Sequence, residues 1–364
     1  MNIKIFQLLG SPNAGVYIVL ALFVLAGAVF SLSTLVATVT LSVAILLSLG
    51  VAKFQFFDSR LDKAPGTLFM VNKHKMHLFA QGQAGIHKPV IWIGGGHGEG
   101  LVMSHLHETL SKTTRSILFD RTGAGWSELT ALPLSVSSEV QHLKLLLQAA
   151  GETGPFVLAG HSFGGLFAIN FAHHYPHLVA GLLLMDPTPT VNVSIMGELS
   201  FARLIKLAPW RALALQFGIS AAGDPEIDDE SSAFYKCLHN VARTVNRNSL
   251  QPKSVIGEAA AFKAAMKRPF DMAYGKHALG NIPLRLLLAN PTDAEISDTA
   301  SGIRKQLDLS PLQEENFWNL LNQNNERQVN LSTAGEKFLA PKGASHMFPY
   351  EYPEFVIDEI KELI

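Results

Sequence analysis

Apolar positions follow two different rules along these 364 residues. Between Lys4 and Lys53 no charged side chain occurs, and stretches 16–30 and 35–51 are almost wholly apolar. A single helix through 16–51 would be about 54 Å long at about 1.5 Å per residue, well beyond a hydrocarbon core of about 30 Å. Two membrane spans turning near Ser31-Leu32-Ser33-Thr34 fit that thickness better. The apolar length also exceeds the h-region of a cleavable signal, about 7–15 residues. Lys4 precedes the first span, and Lys53, Arg60, Lys63, Lys73 and Lys75 follow the second. Basic flanks favour the cytoplasmic side, so both ends of this hairpin and the domain after it are expected there. The alternative topology is a single signal-anchor with the rest of the chain outside.

From residue 65 onward the rule changes to short apolar runs alternating with helix-period patterns. Runs at 67–71 and 75–80 read as a leading hairpin. Strands near 90–94, 116–120, 155–160, 180–186, 284–289 and 336–340 alternate with helices near 101–111, 136–149, 163–174, 309–322 and 353–363. That alternation predicts an α/β domain with a mostly parallel sheet covered on both faces. The alternation breaks at about 190–280, where helical patterns at 199–217, 231–246 and 254–266 follow one another. The expected organisation is therefore an anchor at 1–55 and an α/β domain at 65–364 with a helical insertion at about 190–280. The acidic run 224–230 reads as a solvated loop.

Charge narrows the partners. Lys and Arg total 29 against 30 Asp and Glu, a formal net charge of −1, with no long basic run, so nucleic acid is not indicated. Cys237 is the only cysteine, which excludes an intrachain disulfide and a cysteine-built metal cluster.

The chemistry concentrates at Gly160-His161-Ser162-Phe163-Gly164, where the apolar run Phe156-Val157-Leu158-Ala159 enters G-x-S-x-G and a helical pattern follows. Glycines on either side permit a sharp strand-to-helix turn that holds the Ser162 hydroxyl at the top of a sheet. A nucleophilic serine needs a base and an acid that orients it, and in this strand–turn–helix topology their order along the chain should be Ser, then Asp or Glu, then His. Of the 14 histidines, His346 alone occupies the loop between the last strand and the last helix. Asp293, in the loop after the 284–289 run, is the expected acid, with Glu295 and Asp298 nearby. Asp186, at the end of the 180–186 run, offers another route to the same histidine.

Four blocks, Val90 to Gly98, Ile117 to Ser127, the serine turn, and Val179 to Pro187, together with Gly343-Ala344-Ser345-His346, resemble the α/β-hydrolase superfamily, in particular its serine hydrolases with a helical lid. The resemblance covers about residues 65–364 and implies an α/β-hydrolase fold, with the insertion as a lid over Ser162. It places the oxyanion hole at the backbone N–H of Gly95 or Gly96 and of Phe163, while His97 falls too late to match the family's histidine. It implies that the Asp120–Ser127 loop is chiefly structural. The expected activity is cleavage of an ester or related acyl substrate through an acyl-enzyme on Ser162, with His346 as base and no metal or organic cofactor. Acyl transfer, peptidase or lactonase chemistry on the same triad, or a non-catalytic binding protein of this fold, are the alternatives.

Overall fold

The computed structural model describes residues 11, 13–29, 34–58, 63–83, 85–96, 98–189, 202–219, 233–267, 274–292 and 311–364. Two helices, α1 (Ala14–Val29) and α2 (Thr34–Asp58), precede a sheet of eight strands. The strands are β1 (Thr67–Val71), β2 (His74–Gln81), β3 (Val90–Ile93), β4 (Ser116–Phe119), β5 (Phe156–His161), β6 (Val179–Met185), β7 (Leu284–Leu288) and β8 (Gly335–Leu339). Their order across the sheet is β1-β2-β4-β3-β5-β6-β7-β8. The leading hairpin is antiparallel and joins β4 antiparallel, and every pairing beyond it is parallel.

The central strands bury both faces, which is why they read as continuous apolar runs rather than as alternations. Successive side chains point to opposite faces of the sheet. Ile91, Ile117, Leu158, Leu182 and Leu286 share one core with α4 (Val136–Ala149) and α5 (Phe163–His174). Trp92, Leu118, Val157, Leu183 and Leu287 join the opposite core, which includes Leu106 and Leu110 of α3 (Ser104–Leu110). Because β3 lies between β4 and β5, the chain leaves β3 toward one face and β5 toward the other. The loops after these two strands therefore part at a topological switch point, where ligand crevices form in such sheets.

Between β6 and β7 the described residues form α6 (Ala202–Gln216), α7 (Ala233–Leu238), a 3₁₀ turn at His239–Val241, α8 (Ala242–Ser249) and α9 (Pro252–Lys267). The single helix expected at 231–246 is thus broken, and His239 takes a left-handed φ of 29° at the break. The expected 101–111 helix likewise begins as a 3₁₀ turn at Gly100–Met103 before α3. The chain closes with α10 (Pro311–Val329), α11 (Phe348–Glu351) and α12 (Pro353–Lys361).

The N-terminal helices pack against each other and against α6. Ala14, Val19, Ala26, Ala37, Ala44 and Val51 are buried, whereas Tyr17, Leu20, Val24, Leu25, Val39, Ile45, Leu46 and Leu49 are exposed. Val36–Gln55 is long and apolar enough to cross a membrane, and the apolar part of α1, Ala14–Gly27, is shorter. The turn expected at 31–34 lies, apart from Thr34, outside the described residues, as do Arg60, the 224–230 run, His97, Asp293, Glu295 and Asp298.

Candidate active site

Strand β5 ends at His161, and Ser162 is the single residue between it and α5. Its backbone sits at φ 53°, ψ −122°, a conformation that L-residues rarely adopt and that persists only when the surroundings hold it. The surroundings here are specific. Ser162 N–H donates to the Met185 carbonyl at 2.9 Å, and the Ser162 carbonyl accepts from Gly165 and Thr188, both at 3.0 Å. The turn tolerates no larger residue at Gly164, where a Cβ would fall 2.1 Å from the Ile93 carbonyl oxygen. Sharp turn, strained serine and glycine contact together make the tight strand-to-helix elbow that G-x-S-x-G predicts.

The loop after β3 lies against this elbow. A Cβ on Gly95 would sit 3.4 Å from Ser162 Cβ, so the two backbones approach closely. Gly96 faces the inserted helices instead, with Glu258 and Phe262 of α9 each 3.3 Å from the corresponding point. Arg121 fixes the loop's orientation. Its guanidinium donates to the carbonyls of Gly94 (2.8 Å), Gly95 (2.6 Å) and Gly96 (2.8 Å). In a trans peptide the N–H points opposite to the C=O, so the N–H groups of Gly95 and Gly96 turn away from Arg121. The same guanidinium lies over the rings of Phe163, 5.4 Å away, and Phe167, 4.5 Å away. Burial lowers its pKa to about 10, which leaves it charged at any physiological pH.

The Asp120–Ser127 loop otherwise behaves as the sequence suggested. Asp120 is fully buried, accepts from the backbone N–H of Gly100 (2.7 Å) and Trp126 (2.9 Å), and pairs with His77 at 2.8 Å. Arg121 is the residue of this block that the sequence reading passed over. Its charge, two residues past the end of the buried β4, is the one signal in the sequence that marks it.

His346 lies in the loop after β8, and its Nδ1–H donates to Asp186 Oδ2 at 2.5 Å. Asp186 follows β6 directly and has a left-handed φ of 40°, with its backbone N–H held by the Leu287 carbonyl at 2.8 Å. The acid brought to His346 among the described residues is therefore Asp186, the alternative route in the sequence, while Asp293 lies outside them. The pair is open to solvent, with His346 about half exposed.

His161 ties the histidine loop to the elbow. Its Nε2–H donates to the His346 carbonyl at 2.9 Å, and the two rings lie 4.8 Å apart. Burial, helped by the adjacent His346, lowers its pKa to about 4, so His161 is neutral at physiological pH. It occupies the variable position of the motif, and its backbone target, 185 residues away, leaves no trace in the sequence. Among the described residues no group of three His, Cys, Asp or Glu is placed to hold a metal ion.

A family model described as "Alpha/beta hydrolase family" matches residues 86–359. The chain belongs to this family. Among curated relatives, the uncharacterized protein YbdG of Bacillus subtilis is 28% identical over 223 residues, 57% of this chain and 66% of that protein. Lipase LipV of Mycobacterium tuberculosis is 39% identical over 85 residues, 23% of this chain and 32% of LipV. The matched stretches thus span less than two thirds of these relatives' own lengths. The solved structure of a thermophilic esterase from Thermogutta terrifontis superposes with a TM-score of 0.54 at 21% identity, covering 81% of this chain and 96% of that one. This α/β-hydrolase chain shares the esterase's fold, with the serine turn at the topological switch point of its sheet.

Proposed function

We propose that this α/β hydrolase is a membrane-anchored serine hydrolase that cleaves an ester or related acyl substrate through an acyl-enzyme on Ser162. The observation that carries the reading is the strained Ser162 elbow under the Gly95 loop, with a His346–Asp186 pair tied to it through His161.

In this reading His346 takes the Ser162 proton as the hydroxyl attacks the substrate carbonyl, then delivers it to the leaving alcohol. Asp186 fixes the imidazole tautomer and stabilises the imidazolium that forms. His346 then deprotonates a water molecule that releases the acid from Ser162. The negative charge of the tetrahedral intermediate is met by the N–H of Phe163, at the start of α5, and by that of Gly95 or Gly96. Each such donor is typically worth about 3 kcal/mol of transition-state stabilisation. Asp186 takes the acid role first expected of Asp293.

The inserted helices serve as a lid. Phe262 of α9 packs against Phe163 with ring centroids 4.7 Å apart and the rings tilted by 41°, and Glu258 and Phe262 reach the Gly96 loop. Anchoring is supported by the inside-out pattern of α1 and α2. A buried side built of four alanines and two valines, with leucines and an isoleucine outside, suits lipid, where small residues let helices approach. A soluble core helix would bury its large residues instead. The basic residues flanking the open end of the hairpin favour a cytoplasmic catalytic domain.

The test is turnover of a panel of simple esters by the full-length protein in membranes. Wild type is expected to hydrolyse at least one chain length, and Ser162→Ala none. Equal activity of the two proteins would overturn the catalytic reading.

A further inference from the structure

The lid and the N-terminal hairpin are joined by glycines. Gly15 N–H of α1 donates to the Gln216 side chain of α6. Gly50 of α2 lies so close to Phe217 that a Cβ there would fall 2.0 Å from the Phe217 carbonyl oxygen. Gly218, at φ 68°, fits against the Gly50 carbonyl in turn. Only residues without a Cβ permit this approach, so the end of α6 is fixed at the open end of the hairpin. On its inner face α6 buries Ala208, Ala212 and Leu215 against Val255, Ile256 and Ala259 of α9.

The outer face of α6 has a different composition. Leu207 is 45% exposed and Trp210 is 67% exposed, with the exposed Lys206 and Arg211 beside them. Ile219, 59% exposed, follows directly on the glycine junction, where Leu49 of α2 is exposed as well. The apolar surface of the hairpin therefore continues onto the lid. A tryptophan among cations suits the headgroup layer of a bilayer, where the ring sits at the acyl boundary and the cations meet anionic phosphates.

We propose that α6 is a membrane-docking surface, with Leu207 and Trp210 dipped into an anionic lipid interface and Lys206 and Arg211 on its headgroups, so that the lid admits an acyl lipid from the bilayer to Ser162. This rests on the membrane-anchored reading above.

The test uses the full-length chain carrying Cys237→Ser, with a nitroxide label placed by Leu46→Cys, Trp210→Cys or Lys112→Cys in separate proteins. Lys112 precedes β4, at the end of the sheet opposite the serine turn. Each protein is reconstituted into phosphatidylcholine vesicles with and without phosphatidylglycerol, and label accessibility to oxygen and to a water-soluble nickel chelate is compared. The labels at 46 and 210 are expected to be lipid-exposed, that at 210 more deeply with phosphatidylglycerol, and the label at 112 aqueous. A lipid-exposed 46 with an aqueous 210 overturns the docking surface and leaves the anchor standing. Aqueous labels at both positions overturn the anchor and the docking surface with it. In parallel, Leu207→Ala with Trp210→Ala is expected to raise KM about tenfold for an ester presented in vesicles while leaving a short soluble ester unaffected. Equal losses on the two substrates would mean a packing role for the two side chains and overturn the proposal.

Discussion

His346 and Asp186 meet at 2.5 Å although 160 residues separate them, because the loops after β8 and β6 open on the same end of the sheet. The contact joins Nδ1 of the imidazole to the carboxylate and leaves Nε2 as the nitrogen able to exchange a proton with Ser162. An asparagine at 186 would accept or donate at this position and so permit the wrong tautomer. Asp186→Asn is expected to lower kcat about a thousand-fold or more. Asp293→Asn is expected to cost far less, and a crippling loss at 293 with normal turnover at 186 would return the acid role to Asp293.

Arg121 is expected to act on turnover without touching substrate. A lysine keeps the charge but cannot span three carbonyls as the guanidinium fork does. Arg121→Lys should lower kcat about ten- to a hundred-fold with KM little changed, as loosened oxyanion donors affect the transition state more than ground-state binding. A variant with full turnover would remove Arg121 from the account of the loop.

Buried histidines set the response to acid. Burial lowers His105, His107 and His161 to about 4, against an ordinary value of 6.5. Each gains its proton more readily in the unfolded chain, so its stabilising contribution is complete above pH 6.5 and is lost as pH falls toward 4. His77 has the opposite sign. Burial lowers it, but the hydrogen bond and charge of Asp120 together with the Pro65 carbonyl raise it on balance. Its contribution is complete below pH 6.5 and fades as pH rises through the raised value. Unfolding midpoints of the detergent-solubilised protein should therefore fall from pH 7 to pH 5, less steeply in His107→Gln. A midpoint that rises on acidification would contradict the burial argument.

The hairpin makes a separate prediction about fractionation. Full-length protein should stay with membranes through extraction by carbonate at high pH, which strips peripheral proteins. Release into the supernatant would contradict spanning by Val36–Gln55.

The fold was legible because its signals are local. Val90–Ile93 and Leu182 to Met185 are buried on both faces of a parallel sheet, so they stand out as unbroken apolar runs. Gly160 to Gly164 records a backbone requirement directly in residue types. The carboxylate that pairs with His346 was harder to read. Asp186 and Asp293 both follow apolar strands, and the left-handed turn that brings the Asp186 carboxylate to His346 leaves no mark in spacing. Arg121 and His161 were missed for a related reason: both bond backbone carbonyls, which every residue possesses. The attachment of α6 to the N-terminal helices was hidden likewise, since Gly15, Gly50 and Gly218 read singly as residues of helices and turns.

The central claim is a covalent acyl intermediate on Ser162, and labelling with a fluorophosphonate probe measures it most directly. Membranes bearing the wild-type protein should label, with the added mass on the peptide containing Ser162, while Ser162→Ala should remain unlabelled and still insert. Labelling of Ser162→Ala at the wild-type level, or probe mass on a different residue, would contradict the account.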